Sequence, residues 1–419
     1  LQLEWEKPVT QVTGFLFCGA AFCGFFWQKR LAHTVGVTAT HWAAILRCRG
    51  DFRVFRLRKL GNENMDTVQQ ELMTKTISRI LIAHPRFPPL ADDYADAFEK
   101  AGVEAKTFII EDQIHWVSRY VFRRINKLAR TLRLVPRGTD LFRKHRLGEE
   151  NHLATRLSEE VAAYEPDVVL CIHGKRAEIF QLRESNVVKI GWWVEQSNNW
   201  SDLEAASRGF DLYFAFAPEV VDTIASHGRD ARYLPHGANV RQHYPIAGSA
   251  KEIDLVFVGA WSPWRDQVIA SAFEVTQDIA LYGHSWIKKS RLPRDVLRRI
   301  HKGELILGTQ LNELHNKARV VLNADRTVRL GLNMRYFEVL ASGSCLLTDN
   351  ALDLHNYFAD NEHLCVYQDL EDMQRKLRWL LDNEDERRRI SANGFREVTQ
   401  RHTCDHRVQS LIASISQLR

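Results

Sequence analysis

The string LNMRYFEVLASGSCLLTD at positions 332–349 is the densest concentration of potential chemistry in the chain. Its periodicity predicts a loop entering a helix at about Asn333, a helix ending at Gly343, and a buried strand leaving at Asp349. The first turn of such a helix presents unpaired backbone N–H groups and the positive end of the peptide dipole, which suits a diphosphate. Arg335 adds a fixed cation in that turn. Glu338, one turn on, can accept hydrogen bonds from a ribose or sugar hydroxyl. By local physics alone the two residues read equally well as a surface i,i+3 ion pair on an ordinary amphipathic helix. Metal chemistry has no comparable signal: there is no HExxH, no EF-hand loop and no Asp-x-Asp at a suitable strand end. Asp92 and Asp93 fall at a helix start, where carboxylates favour the dipole, so no metal site is expected. A P-loop NTPase is excluded by the lack of GxxxxGK[ST], and a dinucleotide dehydrogenase fits poorly because no GxGxxG follows either first strand.

A helix N-terminus acts on a ligand only if a sheet holds it in place, and the rest of the chain reads as such a scaffold. Residues 77–83 form an apolar run, 84–89 its exit loop, 90–101 an amphipathic helix closed by Gly102, and 106–110 the next strand. This is how a parallel sheet covered by helices begins. Strand-like runs recur at 167–172, 187–194, 212–216 and 231–234. Pro and Gly then cluster at 235–240, and with polar 246–251 they mark a linker. A second unit follows with strands at 254–259, 279–283, 320–323 and 344–348. Two Rossmann-like units joined by a hinge describe a cleft enzyme. The expected domains are a first unit at 76–245, a second at 246–400, and a terminal helix, 401–419, packing back toward the first. The basic stretch 113–146 is predicted to be helical, either as a solvated face or as a contact for an acidic acceptor or a membrane surface.

Size and composition agree with this division. At 419 residues the chain exceeds one hydrophobic core. With 45% hydrophobic and 26% charged residues it falls in the ordinary globular class. The formal charge of +5 suits anionic ligands such as phosphates and by itself does not argue for nucleic acid. Seven cysteines with neither a CxxC pair nor zinc spacing fit a reducing compartment, read here as the cytoplasm. The apolar run 14–27 is too short and glycine-rich to span a bilayer, although Gln28, Lys29 and Arg30 behind it leave a peripheral membrane contact open. Residues 1–75 lack strand–turn–helix punctuation and read as an extension, disordered or wrongly started, to which no chemistry is assigned.

The segment from Phe337 and Glu338 through Gly343 to Thr348 and Asp349 resembles the signature of GT-B glycosyltransferases, most closely the CgeB-like, spore-associated group. Residues 233–237 (YLPHG) resemble that group's interdomain crossing, 254–265 its first second-domain strand and donor loop, and His402, Thr403 and Arg407 its terminal helix. The resemblance runs from about Ile77 to the end. It implies a nucleotide diphosphate sugar bound mostly by the second domain, with Glu338 holding the donor ribose and Asn333 and Arg335 beside the diphosphate. Gly259 to Arg265 would be the loop approaching the phosphates, and Gly283 with His284 a loop near the nucleotide, unless these last two form a plain turn. Two positions depart from the pattern. Ala260 stands where a basic residue usually follows the glycine, a place Arg265 could fill, and Leu330 stands where many retaining enzymes carry a second glutamate.

In the first unit, His173 follows the 167–172 strand at the edge facing the crevice of an open α/β sheet. It reads as a group that hydrogen-bonds the donor sugar or the acceptor hydroxyl, or else as a turn residue. Glu195, leaving the next strand at the same edge, is the alternative base. Trp200 could stack on a sugar face, and His84 with Arg86 ends the first strand where an acceptor commonly meets this fold. The expected reaction is transfer of a hexose from a nucleotide diphosphate donor to an acceptor hydroxyl without metal or other cofactor, with retention of configuration following the family. The acceptor itself (glycan, lipid, protein or small molecule) is not named by the residues. The rival readings are a non-catalytic sugar- or nucleotide-binding protein of a spore or surface assembly, and a nucleotide-sugar epimerase.

Overall fold

Alternation along the strands decides the architecture. The structure is a computed structural model that describes residues 41–48, 51–58, 77–86, 90–172, 187–194, 203, 206–325 and 331–418. It divides into residues 1–76 and residues 77–419. In the first unit, strand β1 (His41–Cys48) pairs antiparallel with β2 (Asp51–Arg58). No strand was expected there, because neither segment alternates cleanly between apolar and polar residues.

The second unit holds two six-stranded sheets whose described pairings are all parallel. The first comprises β3 (Arg79–His84), β4 (Glu104–Ile109), β5 (Val168–Ile172), β6 (Val188–Trp193), β7 (Leu212–Ala215) and β8 (Ala231–Tyr233), in the order β4-β3-β5-β6-β7-β8. Its inner strands are largely apolar on both faces because both are covered, while the edge strands β4 and β8 are partly exposed. Ile80, Ile82, Leu170 and Trp192 point into one core, and Leu81, Ala83, Val169 and Trp193 into the other. Helix α1 (Leu90–Lys100) lies on the former face. On the chain's way to β5 come a π-helical turn (Ser118–Phe122), α2 (Arg123–Thr131) and α3 (Glu149–Tyr164), and α4 (Pro218–Ser226) follows β7.

The second sheet contains β9 (Ile253–Val258), β10 (Ile279–Tyr282), β11 (His301–Gly303), β12 (Ala318–Asn323), β13 (Cys345–Asp349) and β14 (Cys365–Tyr367), in the order β11-β10-β9-β12-β13-β14. Again one core takes Leu255 and Phe257 and the other takes Val256, Val321 and Leu346. The covering helices are α5 (Pro263–Phe273), α6 (Trp286–Lys289), α7 (Arg294–Ile300), α8 (Gly308–Lys317), α9 (Met334–Ala341), α10 (Leu370–Asp382) and α11 (Glu384–Arg401).

The last helix, α12 (Cys404–Ser416), returns to the first sheet. Its Cys404, Val408, Leu411 and Ile415, one stripe at i, i+4, i+7 and i+11, join the core shared with α1. Arg407, itself buried, turns the other way. Its Nε donates to the carbonyl oxygens of Pro235 at 3.1 Å and His236 at 2.9 Å, fixing the crossing between the two sheets.

Candidate functional site

In each sheet the strand order reverses once, between β3 and β5 and between β9 and β12. A crevice opens at such a point outside the carboxyl ends of the strands, where open α/β folds bind ligands. In the second sheet the flanking segments are Gly259–Ala260 after β9 and Ala324–Asp325 after β12. The N-termini of α5 and α9 follow these loops.

Helix α9 begins where the sequence predicted. Asn333 is its N-cap, its side-chain oxygen accepting from the Arg335 N–H at 3.0 Å. The Asn333 amide reaches Asp325 at 3.3 Å and Asn323 at 3.4 Å, tying the helix start to the end of β12. Behind it, Tyr336 donates to the Asp349 carbonyl oxygen at 3.1 Å, Thr348 contacts the Tyr336 hydroxyl at 2.9 Å, and the Asn323 amide donates to Thr348 at 3.2 Å. This network sets the helix against β12 and β13 from below. Arg335 donates to Glu338 at 2.6 Å, both side chains being under one-fifth exposed. The pair therefore lies in a recess, not on open surface, though its i,i+3 geometry is the one expected of either reading.

Of the remaining predicted residues, Arg265 lies at the same crevice, and Gly283 with His284 follows β10, on the other side of β9. Arg265, in the first turn of α5, donates to the carbonyl oxygens of Ala324 at 2.7 Å and Ala260 at 2.9 Å and pairs with Asp325 at 3.2 Å. It bridges the two loops, so its guanidinium is committed to protein groups. Gly283 has φ +147, and a Cβ there would sit 1.9 Å from the Gly259 carbonyl oxygen. Gly283, with no Cβ, lets the loop after β10 lie against the backbone of Gly259 after β9. His284 is exposed and meets Glu304 at 3.1 Å.

Asp325 and His243 were not singled out by sequence reasoning, and Asp93 was read there only as a carboxylate at a helix start. Asp325 supplies the carboxylate that binds Arg265 and Asn333. His243, in the crossing segment, is buried with its Nε2 3.9 Å from Glu338, and burial lowers its pKa. Asp93 of α1 accepts from the Asn239 amide at 2.7 Å and the Gln242 amide at 2.9 Å. No local signal marks them, because each acts through a partner far along the chain.

Burial pushes the Asp93 carboxyl up to about 7, with Glu338, Asp92 and Asp96 adding to the rise against the Asn239 hydrogen bond. A raised folded-state pKa means that the native protein binds this proton more tightly than the unfolded chain. Stability should therefore fall as pH rises from the ordinary value near 3.8 toward 7. Comparing melting temperatures across that window, Asp93→Asn should remove this part of the slope. An unchanged slope would assign the titration elsewhere.

At the first sheet's reversal, His84 ends β3 and is buried, its Nδ1 2.8 Å from the Pro85 carbonyl oxygen. Its Nε2 has no hydrogen-bond partner among the described residues, and burial lowers its pKa. Arg86 is exposed and paired with Asp112, its N–H donating to Glu111 at 2.7 Å. His173, Glu195 and Trp200 lie outside the described residues, as does Leu330. Trp192 and Trp193 are core residues, Trp192 donating to the Leu234 carbonyl oxygen at 3.1 Å. The two carboxyl edges approach each other at Gly331, where a Cβ would lie 2.6 Å from the Phe216 carbonyl oxygen just beyond β7. Among the described residues no group of three or more His, Cys, Asp or Glu could hold a metal ion, and no helix is long and apolar enough to cross a membrane.

Solved structures repeat this pairing of two sheets across a crossing. The sucrose-phosphate synthase of Thermosynechococcus elongatus superposes with a TM-score of 0.61 at 13% identity, covering 81% of this chain and 99% of its own. The fold is GT-B. Anabaena HepE, solved in complex with UDP-glucose, shares this GT-B architecture at a TM-score of 0.56 and 11% identity, over 81% of this chain and 99% of its own. A glycosyltransferase of Rickettsia africae gives 0.59 at 11% identity, over 82% and 98%. Residues 258–413, which include Gly259, Arg265, Gly283, Asp325, Asn333, Arg335 and Glu338 but not His243 or Asp93, match the family described as glycosyl transferase-like. No curated protein matches the chain by sequence.

Proposed function

We propose that this GT-B protein transfers a hexose from a nucleotide diphosphate sugar to an acceptor hydroxyl. The observation that carries the reading is the recessed Arg335–Glu338 pair in the first turns of α9, beside the strand-order reversal, within the segment that matches the glycosyl transferase-like family. Glu338 holds the donor ribose through its carboxylate. Arg335 and the N-terminus of α9 face the diphosphate and stabilise the charge that develops as the nucleotide leaves. Arg265 keeps the loops after β9 and β12 at a fixed separation, so the cradle is preorganised. Residues 76–245 form the acceptor domain and 246–400 the donor domain, with 401–419 closing back on the first. His173 and Glu195 are the candidate groups for the acceptor proton, and His84, Arg86 and Trp200 belong to the acceptor side. The cationic groups are enough to balance the leaving diphosphate in this scheme, which invokes no metal. Retention of configuration and a place in the CgeB-like group rest on the resemblance of the helix, crossing and donor-loop motifs.

The test is a thermal-shift titration of the full chain with UDP, GDP, ADP and TDP, with and without EDTA. A ligand that binds only the folded state stabilises it by mass action, by about 2.7 kcal/mol at a hundredfold excess over Kd. One nucleotide should raise the melting temperature by a few degrees and do so equally in EDTA. Loss of the effect in EDTA would overturn the metal-free scheme. No response to any nucleotide at millimolar concentration would overturn the donor site. Release of nucleotide from the matching sugar donor, with the product identified, then separates transfer from epimerisation and from simple binding.

A further inference from the structure

Between Ile114 and Gly148 the sequence places ten Lys and Arg against a single Asp, so this one segment outweighs the +5 of the whole chain. It folds as a helix containing the π-helical turn Ser118–Phe122 and continuing through α2. Its underside is built into the first domain. Ser118, Asn126 and Ala129 are buried. The Asn126 amide donates to Asp140 at 2.6 Å, its oxygen accepts from the Leu141 N–H at 3.0 Å, and Phe122 stacks on Phe142 with centroids 3.9 Å apart. Arg123 and Arg143 pair with Glu149 and Glu150 at the start of α3.

The outer face is different. Trp116, Tyr120, Val121, Ile125, Leu128 and Leu132 are all exposed, and Leu134 beyond the helix is 73% exposed. A π turn closes i→i+5 and so takes up one extra residue. That extra residue brings 125, 128 and 132 onto the face already holding 116 and 120, making one apolar stripe. Arg124 and Lys127 on the helix and Arg133 just past its end are exposed, as are Arg137, Lys144 and Arg146 in the segment that follows, and their side chains have no carboxylate partner among the described residues. The one acidic residue of the segment, Asp140, accepts from the Asn126 amide.

We propose that this face docks on an anionic phospholipid surface, its apolar stripe entering the headgroup boundary and its free arginines and lysines meeting lipid phosphates. Charge complementarity selects the occupant. Unpaired cations along the segment call for a dense anionic partner, while Leu128, Leu132 and Leu134 call for an apolar one. Nucleic acid meets only the first requirement. An anionic bilayer meets both in one plane, with aromatic residues such as Trp116 and Tyr120 suited to its interface and the basic stems able to lie along the apolar layer.

Co-sedimentation of the full chain with vesicles tests the proposal. The protein should sediment with vesicles of phosphatidylcholine mixed with phosphatidylglycerol, remain in solution with phosphatidylcholine alone, and be partly released by salt. Each basic residue near an anionic surface contributes on the order of 1 kcal/mol, so Arg124→Glu with Lys127→Glu and Arg133→Glu should weaken the partition at least about a hundredfold. Leu128→Ser with Leu132→Ser should also weaken it, at low salt, while the melting temperature and its response to nucleotide stay unchanged in both variants. The lysine-for-arginine variant Arg124→Lys with Arg133→Lys should bind like the parent. Equal binding to both vesicle types, or unaltered binding by the charge-reversed protein, would overturn the proposal. So would a chain that ignores vesicles but shifts an RNA oligonucleotide or self-associates through this face.

Discussion

Glu338→Ala should fold and yet lose the melting-temperature increment that a nucleotide gives the parent protein. In the unliganded structure the carboxylate accepts from Arg335 at 2.6 Å and has His243 at 3.9 Å, in surroundings that leave it 14% exposed. A hydrogen bond to a charged group at such a site is worth about 1.5–3 kcal/mol. Two ribose hydroxyls donating to Glu338 would then account for a factor of about a hundred or more in Kd. The substitution also leaves the Arg335 guanidinium without its carboxylate, so the unliganded protein should melt somewhat lower. For that reason the quantity to read is the dependence on nucleotide concentration, not the melting temperature itself. Glu338→Gln, which keeps the volume but not the charge, should show an intermediate midpoint. Arg335→Ala should weaken the diphosphate more than the corresponding nucleoside. If Glu338→Ala responds with the parent's midpoint, the pair is only an i,i+3 ion pair and the donor ribose is held elsewhere.

The stretch around Glu338 was legible because its determinants are local. Asn333 caps its own helix, Arg335 and Glu338 meet one turn apart, and the apolar run 344–348 is a strand buried on both faces. The same holds for the longer strands of both sheets, where apolar runs bounded by Gly, Pro and polar residues report that a segment is buried, but not for β11 (His301–Gly303) and β14 (Cys365–Tyr367), three-residue edge strands that were not expected because they are too short to show a pattern. Such runs do not report what the segment lies against. Asp93 read as a carboxylate at a helix start, its usual setting, but α1 is packed so that Asn239 and Gln242 reach it from the crossing. Arg265 read as a cation for phosphate, whereas the backbone carbonyl of Ala324, 59 positions further along the chain, takes its Nε–H at 2.7 Å. His243 carried no pattern at all, since its relation to Glu338 exists only once the crossing segment is laid beside α9. These are tertiary contacts between elements distant in the chain, and periodicity holds no information about them.

Gly283→Ala tests the cradle from its backbone side and should be among the most damaging small substitutions in the second domain. Its added Cβ would lie 1.9 Å from the Gly259 oxygen and 2.5 Å from its carbon, at φ +147, a conformation that L side chains rarely adopt. Neither loop can easily retreat. Gly283 donates to Gly303 at 2.9 Å, Gly259 donates to Tyr282 at 2.9 Å, and the Gly259 oxygen is held by the Trp286 indole N–H at 2.8 Å. Strain of this kind costs about 1–3 kcal/mol for the backbone alone, and the collision adds to it. Gly209→Ala supplies the control, because Gly209 also has positive φ, +86, but has nothing within 4 Å of its added Cβ. The excess loss at Gly283 combines the collision with the greater strain of an Ala at φ +147. Any relief must come from moving residues 259–260, and Arg265 then loses its 2.9 Å bond to the Ala260 oxygen while still holding Ala324 and Asp325. Gly283→Ala should accordingly weaken nucleotide binding in whatever fraction remains folded, whereas Gly209→Ala should not. Equal losses of stability with nucleotide binding intact in both would show that the loops yield without cost and that the wall they form does not shape the donor site.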